Sequence, residues 1–485
     1  MSRLLAGIAL ALIAWTATAL PTAAEQPWNV VFILADDLGW SDLGCYGNRF
    51  HETPHLDCLA AQGVRFTDAY AACPVCSPTR ASVLTGKYPA TLNLTDFIPG
   101  HLRPWARLVP PRFHQQLPLA EQTIAEVLKP RGYVSGAFGK WHLGGRDYFP
   151  DRQGFDSFVV TSGRHFAPRF RTLPPRGVDP GTPRADFLTN QAIAFVRRNR
   201  NRPFFLYLSY HLVHIPLEGK KERIGYYEKK EKPGPGIHNP IYAAMVESLD
   251  QNVGRLLAEL DRLGLAQRTV VIFTSDNGGL RQRFDGQGPL VTSNAPLRDE
   301  KGSLYEGGIR VPAIVRWPGV TQPGRTCRVP ICTIDWLPTV AQVAGAKTPP
   351  VDGVSLVGVL RGQEHLRREA LYWHYPHYHH THPAGAIRWG RYKLIEYYED
   401  GRLELYDLQT DLGERHNLAQ AKPQLAWFLR HKLERWRARV GARMPSLNPN
   451  YDPRRQGQWG RRRRPRPKKA ATGELFPPTR RPNAG

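Results

Sequence analysis

Four apolar runs in this chain break off directly into charged or hydrogen-bonding residues, and that repetition restricts the fold more than any other feature. Residues 29–35 end in Asp36-Asp37-Leu38-Gly39, and residues 133–138 in Gly139-Lys140-Trp141-His142. Residues 204–210 end in His211-Leu-Val-His214, and residues 269–274 in Ser275-Asp276-Asn277. A short unbroken apolar run is the mark of a strand buried on both faces. Between these runs the spacing turns helical, at 122–128, 186–196 and 242–263. The last carries a stripe of Met245, Val246, Leu249, Val253, Leu256, Leu257 and Leu260. Strands alternating with helices predict an α/β fold, a large mixed and mostly parallel sheet sandwiched by helices. Such sheets bind ligands at the carboxyl ends of their strands, so the polar clusters should meet on one rim.

After about residue 350 the texture changes. Short strand-like segments at 371–373, 386–389, 392–395 and 403–406, with a tight turn at Glu399-Asp-Gly401, precede an amphipathic stretch at 424–440. This predicts a smaller C-terminal antiparallel sheet packed by one helix. The expected division is a signal peptide at 1–24, a catalytic domain at 25–350, a small α+β subdomain at 351–444 and a basic, Pro-rich disordered tail at 445–485. Arg3, a short apolar core and Thr22-Ala23-Ala24 make up the signal, which implies export to the periplasm or the extracellular space. No stretch is long enough to be a transmembrane segment. The formal charge of +24 favours acidic partners, but Arg461 to Arg464, Arg466, Lys468, Lys469, Arg480 and Arg481 concentrate much of it in the tail. That pattern suits a polyanionic partner and calls for no specific nucleic acid. Six cysteines in 485 residues do not make a disulfide scaffold, although Cys327 and Cys332 are near enough to bridge across a short loop.

Cys76-Ser-Pro78-Thr-Arg80 spells C-x-P-x-R and opens a helix-compatible run ending at Gly86. Pro78 fits a first helical turn, which puts Cys76 at a helix N-terminus where anions are favoured. Arg80 adds a full charge. Cys73 does not fill the same pattern, because Val75 and Ser77 occupy its Pro and Arg positions. Asp36, Asp37, Asp276 and Asn277 are oxygen donors, a set suited to a hard cation such as Ca²⁺ better than to zinc. For Asp36-Asp37 alone, a solvated turn with a helix cap is the other reading. Arg80, Lys140, His142, His214 and Lys301 supply basic groups.

Taken in order, these positions resemble the type I sulfatases of the alkaline phosphatase superfamily, and the likeness runs from Asn29 to about Asn417. The resemblance implies that Cys76 is converted to Cα-formylglycine (3-oxoalanine) by a formylglycine-generating enzyme. It implies a calcium site of Asp36, Asp37, Asp276 and Asn277 together with residue 76. Arg80 and Lys140 would hold the formylglycine, Lys140 and Lys301 would reach sulfate oxygens, His142 would stand beside residue 76, and His214 would face the leaving group. The implied reaction is hydrolysis of a sulfuric ester, with a sulfated small molecule or polysaccharide as substrate. A phosphonate monoester or phosphodiester hydrolase, and a non-catalytic polyanion-binding protein using the tail, are the alternatives. The run from Trp373 to His382 is rich in His and Tyr, and His374, His377 and His379 are expected to help bind a sugar.

Overall fold

The structure is a computed structural model that describes residues 27–460 apart from 235 and 284. The expected signal peptide, and the tail beyond Gly460, lie outside the described residues. Nine strands form one sheet: β1 (Asn29–Ala35), β2 (Val64–Phe66), β3 (Val134–Gly139), β4 (Ser157–Gly163), β5 (Phe170–Leu173), β6 (Phe204–Ser209), β7 (Thr269–Ser275), β8 (Ala313–Arg316) and β9 (Arg325–Cys327). Their spatial order is β9-β2-β8-β7-β1-β6-β3-β4-β5. The run β7-β1-β6-β3-β4 is parallel throughout, while β8 and β5 pair antiparallel with their neighbours. Every residue of β1, β6 and β7 is buried, as unbroken apolar runs require.

Both faces are covered. Helix α1 (Cys76–Thr85) lies on one side, where Phe32, Tyr207, Ile272 and Trp336 share a core. Helices α2 (Arg184–Arg198) and α3 (Pro240–Arg262) lie on the other, where Val31, Leu208, Phe273 and the α3 residues Met245, Leu249 and Val253 pack together. Asn239 caps α3 through its side-chain oxygen, with Pro240 at the first helical position. The first core runs on through Leu360, past the boundary expected at residue 350.

The smaller sheet follows the predicted meander: β10 (Leu371–Tyr375), β11 (Ala384–Trp389), β12 (Tyr392–Tyr397) and β13 (Leu403–Asp407), all antiparallel. Helix α4 (Pro423–Arg439) lays Ala426, Leu429, Leu433 and Trp436 on it, and Trp436 stacks on Tyr372 at 4.9 Å. This sheet is fastened to the large domain by a shared core, in which Tyr70, Val75 and Ile309 pack with Trp373, Ile387 and Leu405, and by an ion network beside it. Lys393 Nζ lies 2.9 Å from both Glu306 and Glu414. Arg310 bridges Glu306 and Asp68, and Arg388 reaches Asp68 at 2.7 Å.

Two expectations are corrected. Residues 445–460 are not a disordered tail, because backbone pairing and aromatic stacking hold them to the large domain. Ser446–Leu447 pairs antiparallel with Leu108–Val109, Arg455 lies over Trp105 at 3.6 Å, and Arg103 lies over Trp459 at 4.0 Å. Cys327 and Cys332 form no bridge; all six cysteines are free thiols, and these two are buried in separate strands.

Candidate active site

Strand register explains why distant motifs converge. Ala35 is paired with Ser275, Leu34 with Ser209, and Gly139 with Ser209. Asp36-Asp37, Asp276-Asn277, His211 to His214 and Lys140 to His142 therefore leave four adjacent strands at the same rim. Gly139 has φ +119, and a Cβ there would fall 1.8 Å from the Ser209 carbonyl. Only glycine lets the chain turn so close to β6 and send Lys140 into the rim.

Cys76 begins α1 and is 2% exposed, with Val75 extended before it. Its Sγ lies 3.4 Å from Lys301 Nζ and 3.7 Å from Asp36 Oδ1. Burial pushes the thiol up, but Lys140 and Lys301 outweigh it and bring it down to about 6. Lys140 Nζ donates to both Asp36 oxygens at 2.8 and 2.6 Å, and Lys301 Nζ lies 2.7 Å from Asp37 Oδ1. Arg80, wholly buried, clamps Asp276 Oδ2 through Nε (3.0 Å) and Nη2 (2.6 Å) and donates to the Lys140 carbonyl at 3.1 Å. Burial raises Asp36, yet Lys140, His214 and Arg80 hold it well below the usual carboxylate range.

The donor set has room for a cation. Asn277 donates its Nδ2 to Asp37 Oδ1 at 2.8 Å and leaves its Oδ1 buried with no hydrogen bond. An orphaned buried carbonyl is costly, and a hard cation satisfies it. Donor atoms of Asp36, Asp37, Cys76 and His214 all lie within 4.8 Å of one another. The residues present thus fit a divalent ion.

Two histidines have their tautomers fixed by carbonyls. His142 Nε2 lies 2.6 Å from the Ile98 carbonyl, which can only accept, so Nε2 carries the proton. Its Nδ1 is buried without a conventional partner and neighbours Cys76; burial lowers the ring's affinity for a second proton. His214 Nδ1 donates to the Ile215 carbonyl at 2.6 Å, leaving Nε2 3.7 Å from Asp37. Burial and Lys301 push that ring down, and Asp37 and Asp36 more than reverse it.

The expected sugar-binding histidines sit differently from one another. His374 uses both ring nitrogens, on the Tyr398 hydroxyl (2.7 Å) and the Arg443 carbonyl (3.0 Å). His377 bonds to Thr95 at 2.8 Å. His379 packs on Gly302, whose φ of +88 and missing Cβ leave the ring its place beside Lys301. A cavity of about 460 Å³ opens from the rim, lined by Asp36, Lys140, His142 and His214 and also by Thr161, Arg184 and His211. Sequence reasoning gave the last three no role. His211 carried the only signal, lying in the same short run as His214.

Comparisons with known proteins show what the chain as a whole resembles. The sulfatase family model matches residues 28–346, and the model of the C-terminal region of N-sulphoglucosamine sulphohydrolase matches residues 299–439. Arylsulfatase A of Homo sapiens is 35% identical, aligning 85% of this chain with 88% of its own length. A sulfatase of Formosa agariphila is 33% identical, with 85% of this chain and 89% of that protein covered. Among solved structures, Ps i-CgsB in complex with k-i-k-neocarrahexaose superposes with a TM-score of 0.74 at 27% identity, covering 88% of this chain and 95% of that one.

Proposed function

The chain belongs to the sulfatase family and is a sulfuric ester hydrolase, and from that premise we propose that it releases inorganic sulfate from a sulfated carbohydrate at the Cys76 rim. The family places it with sulfate esters, not with the phosphonate or phosphodiester alternatives or a purely polyanion-binding role. The observation that supports the site assignment is the Asn277 side chain, whose Nδ2 donates to Asp37 and whose Oδ1 is buried with no hydrogen bond, beside a pair of aspartates that two lysines already flank. Sulfatases generally use a formylglycine and a divalent metal. Here residue 76 would carry the formylglycine, and Asp36, Asp37, Asp276, Asn277 and residue 76 would hold the ion, for which Ca²⁺ suits the oxygen donors.

When present, these groups supply a nucleophilic hydroxyl and positive charge for the sulfuryl oxygens. The remaining work falls to the chain itself. Arg80 fixes Asp276 and keeps the acids from repelling one another. Lys140 and Lys301 add fixed positive charge where negative charge grows as the S–O bond breaks. His142 presents its free Nδ1 to residue 76 and takes a proton from it. His214, its Nδ1 proton tied to Ile215, has only Nε2 for a mobile proton and gives it to the departing alkoxide. His379, beside Lys301, is the subdomain's contribution near the substrate, whereas His374 and His377 support it through Tyr398 and Thr95. Export through the N-terminal signal and maturation by a formylglycine-generating enzyme belong to the same proposal. Among the described residues no helix is long and apolar enough to cross a membrane.

The test is a comparison of leaving groups. His214→Ala should lower kcat/KM on a sugar sulfate by about 10²–10⁴-fold. On 4-nitrophenyl sulfate, whose phenolate leaves without a proton, the loss should be far smaller. Equal losses would assign His214 to holding sulfate and remove it as the acid.

A further inference from the structure

One cation in the cavity has no ion-pair partner among the described residues, Asp36 and Glu218 acting on it only from a distance. Arg184, the first residue of α2, is 3% exposed. Its guanidinium donates to the Gly163 carbonyl at 2.8 Å and approaches His165 Nδ1 at 3.4 Å, and both partners are neutral. Among the described residues no carboxylate comes within ion-pair distance of it. Glu218 is occupied by Arg164 at 2.6 Å and Arg169 at 3.0 Å, and Asp36 by Lys140 at 2.6 Å. Burial accordingly drags Arg184 down to about 10. A buried arginine is ordinarily paired, because removing a guanidinium from water costs several kcal/mol that an anion recovers.

Arg184 lines the same cavity as Lys140, His142 and His214. Thr161, hydrogen-bonded to His211 at 3.0 Å, lies on that wall too, and Trp141 and Phe149 offer apolar surface for the face of a sugar ring. Building on the sulfatase reading, we propose that Arg184 and Thr161 form a subsite for a second anionic group on the leaving alcohol, so that the preferred substrate is a sulfated sugar bearing a carboxylate or another sulfate. The planar guanidinium fork matches either oxyanion. The subsite is also wired to the acid. His165 accepts from Arg184 on Nδ1 and donates from Nε2 to the His214 carbonyl at 2.8 Å, so Arg184 and His214 are two links apart.

The experiment uses the full-length mature enzyme and four substrates: 4-nitrophenyl sulfate, a neutral singly sulfated sugar, a sulfated disaccharide containing a uronate, and a disulfated sugar. The wild type should favour at least one dianionic sugar over the neutral one by tenfold or more in kcat/KM. Which of the two it favours identifies the anion as carboxylate or sulfate. Arg184→Gln should lose about 10- to 100-fold on that substrate, mainly in KM, and at least tenfold less on the neutral sugar. Arg184→Lys should recover part of the loss. The desulfated uronate product should also inhibit the wild type more strongly than its neutral counterpart, a readout that needs no variant. Absence of a dianion preference, or a preference for an apolar aryl or steroid sulfate, overturns the proposal. Equal losses on neutral and dianionic sugars overturn it as well, leaving Arg184 as a support for His165. Failure to release sulfate from any of the four would instead strike the sulfatase reading beneath it.

Discussion

Asp36, Asp37 and Asp276 with Arg80, Lys140 and Lys301 stand at the sheet rim, while Asp68, Glu306 and Glu414 with Arg310, Arg388 and Lys393 stand at the seam between the two sheets. The two groups match in size and sign, and all but Lys140, whose side chain is 11% exposed, are buried. They differ in what they open onto. At the seam Tyr70 donates to Glu306 at 2.7 Å, the Glu306 amide donates to Glu414 at 2.7 Å, and the charges close on one another. At the rim Asn277 Oδ1 is buried with no hydrogen bond, and Asp36 and Lys140, with His142 and His214 beside them, line a cavity. Buried charge alone therefore does not mark a site; what sets the rim apart is that part of it opens onto a cavity.

The sharpest way to break this contrast is to alter the rim where chemistry should occur. Cys76→Ala should reduce sulfate release by on the order of 10⁴-fold or more, with the unfolding midpoint kept within a few degrees. Turnover surviving in that variant would remove residue 76 from the mechanism. At the seam the effect should fall on stability. Lys393→Met removes the one cation that Glu306 and Glu414 share, leaving Glu306 only Arg310, and should cost about 3–5 kcal/mol in denaturant unfolding. A stable Lys393→Met protein would show that the seam charges do not hold the subdomain.

Metal should separate the two groups next. Chelation should stop sulfate release and lower the melting temperature, and Ca²⁺ should restore both better than Zn²⁺. At a hundredfold excess over Kd the gain is about 2.7 kcal/mol. A chelated enzyme with full activity would refute the rim assignment.

The smallest effect is one of pH. Burial holds Glu414 up at about 7, against a free value of 4.5. Its contribution to stability is complete below about 4.5 and fades as pH rises through 7. Burial also pushes Glu306 up, but Lys393, Arg310 and Arg388 outweigh it and bring it down to about 2, so its contribution is lost only as pH falls toward that value. Urea midpoints in saturating calcium should decline between pH 5 and 8, and Glu414→Gln should shrink that decline. An unchanged slope would place the titration elsewhere.

Most of the rim was legible because each of its residues follows a buried strand or sits in a short motif, and parallel register then brings the strand ends together. The seam was not. Asp68 and Arg388 lie 320 residues apart, and no local pattern assigns Glu306, Arg310 or Glu414 a partner. Arg184 was hidden for a similar reason: a lone arginine after Pro183 is unremarkable until the fold strips it of carboxylates. The missed order of residues 445–460 has another cause. Pro, Gly and Arg content argues against a core of its own, but a strand of two residues and two cation–aromatic contacts need only a neighbour's surface.

That neighbour also decides where the chain departs. Gly460 pairs with Leu102, Trp459 lies 4.9 Å from His101, and His101 lies 5.2 Å from His379, which rests on Gly302 next to Lys301. Whatever is attached at Gly460 starts its reach a few side chains from the pocket, and the sequence continues there with Arg461-Arg-Arg-Arg464. The last described residues therefore end on the His101–His379 side of the site, and the edge of the large sheet takes no part in where the following sequence begins.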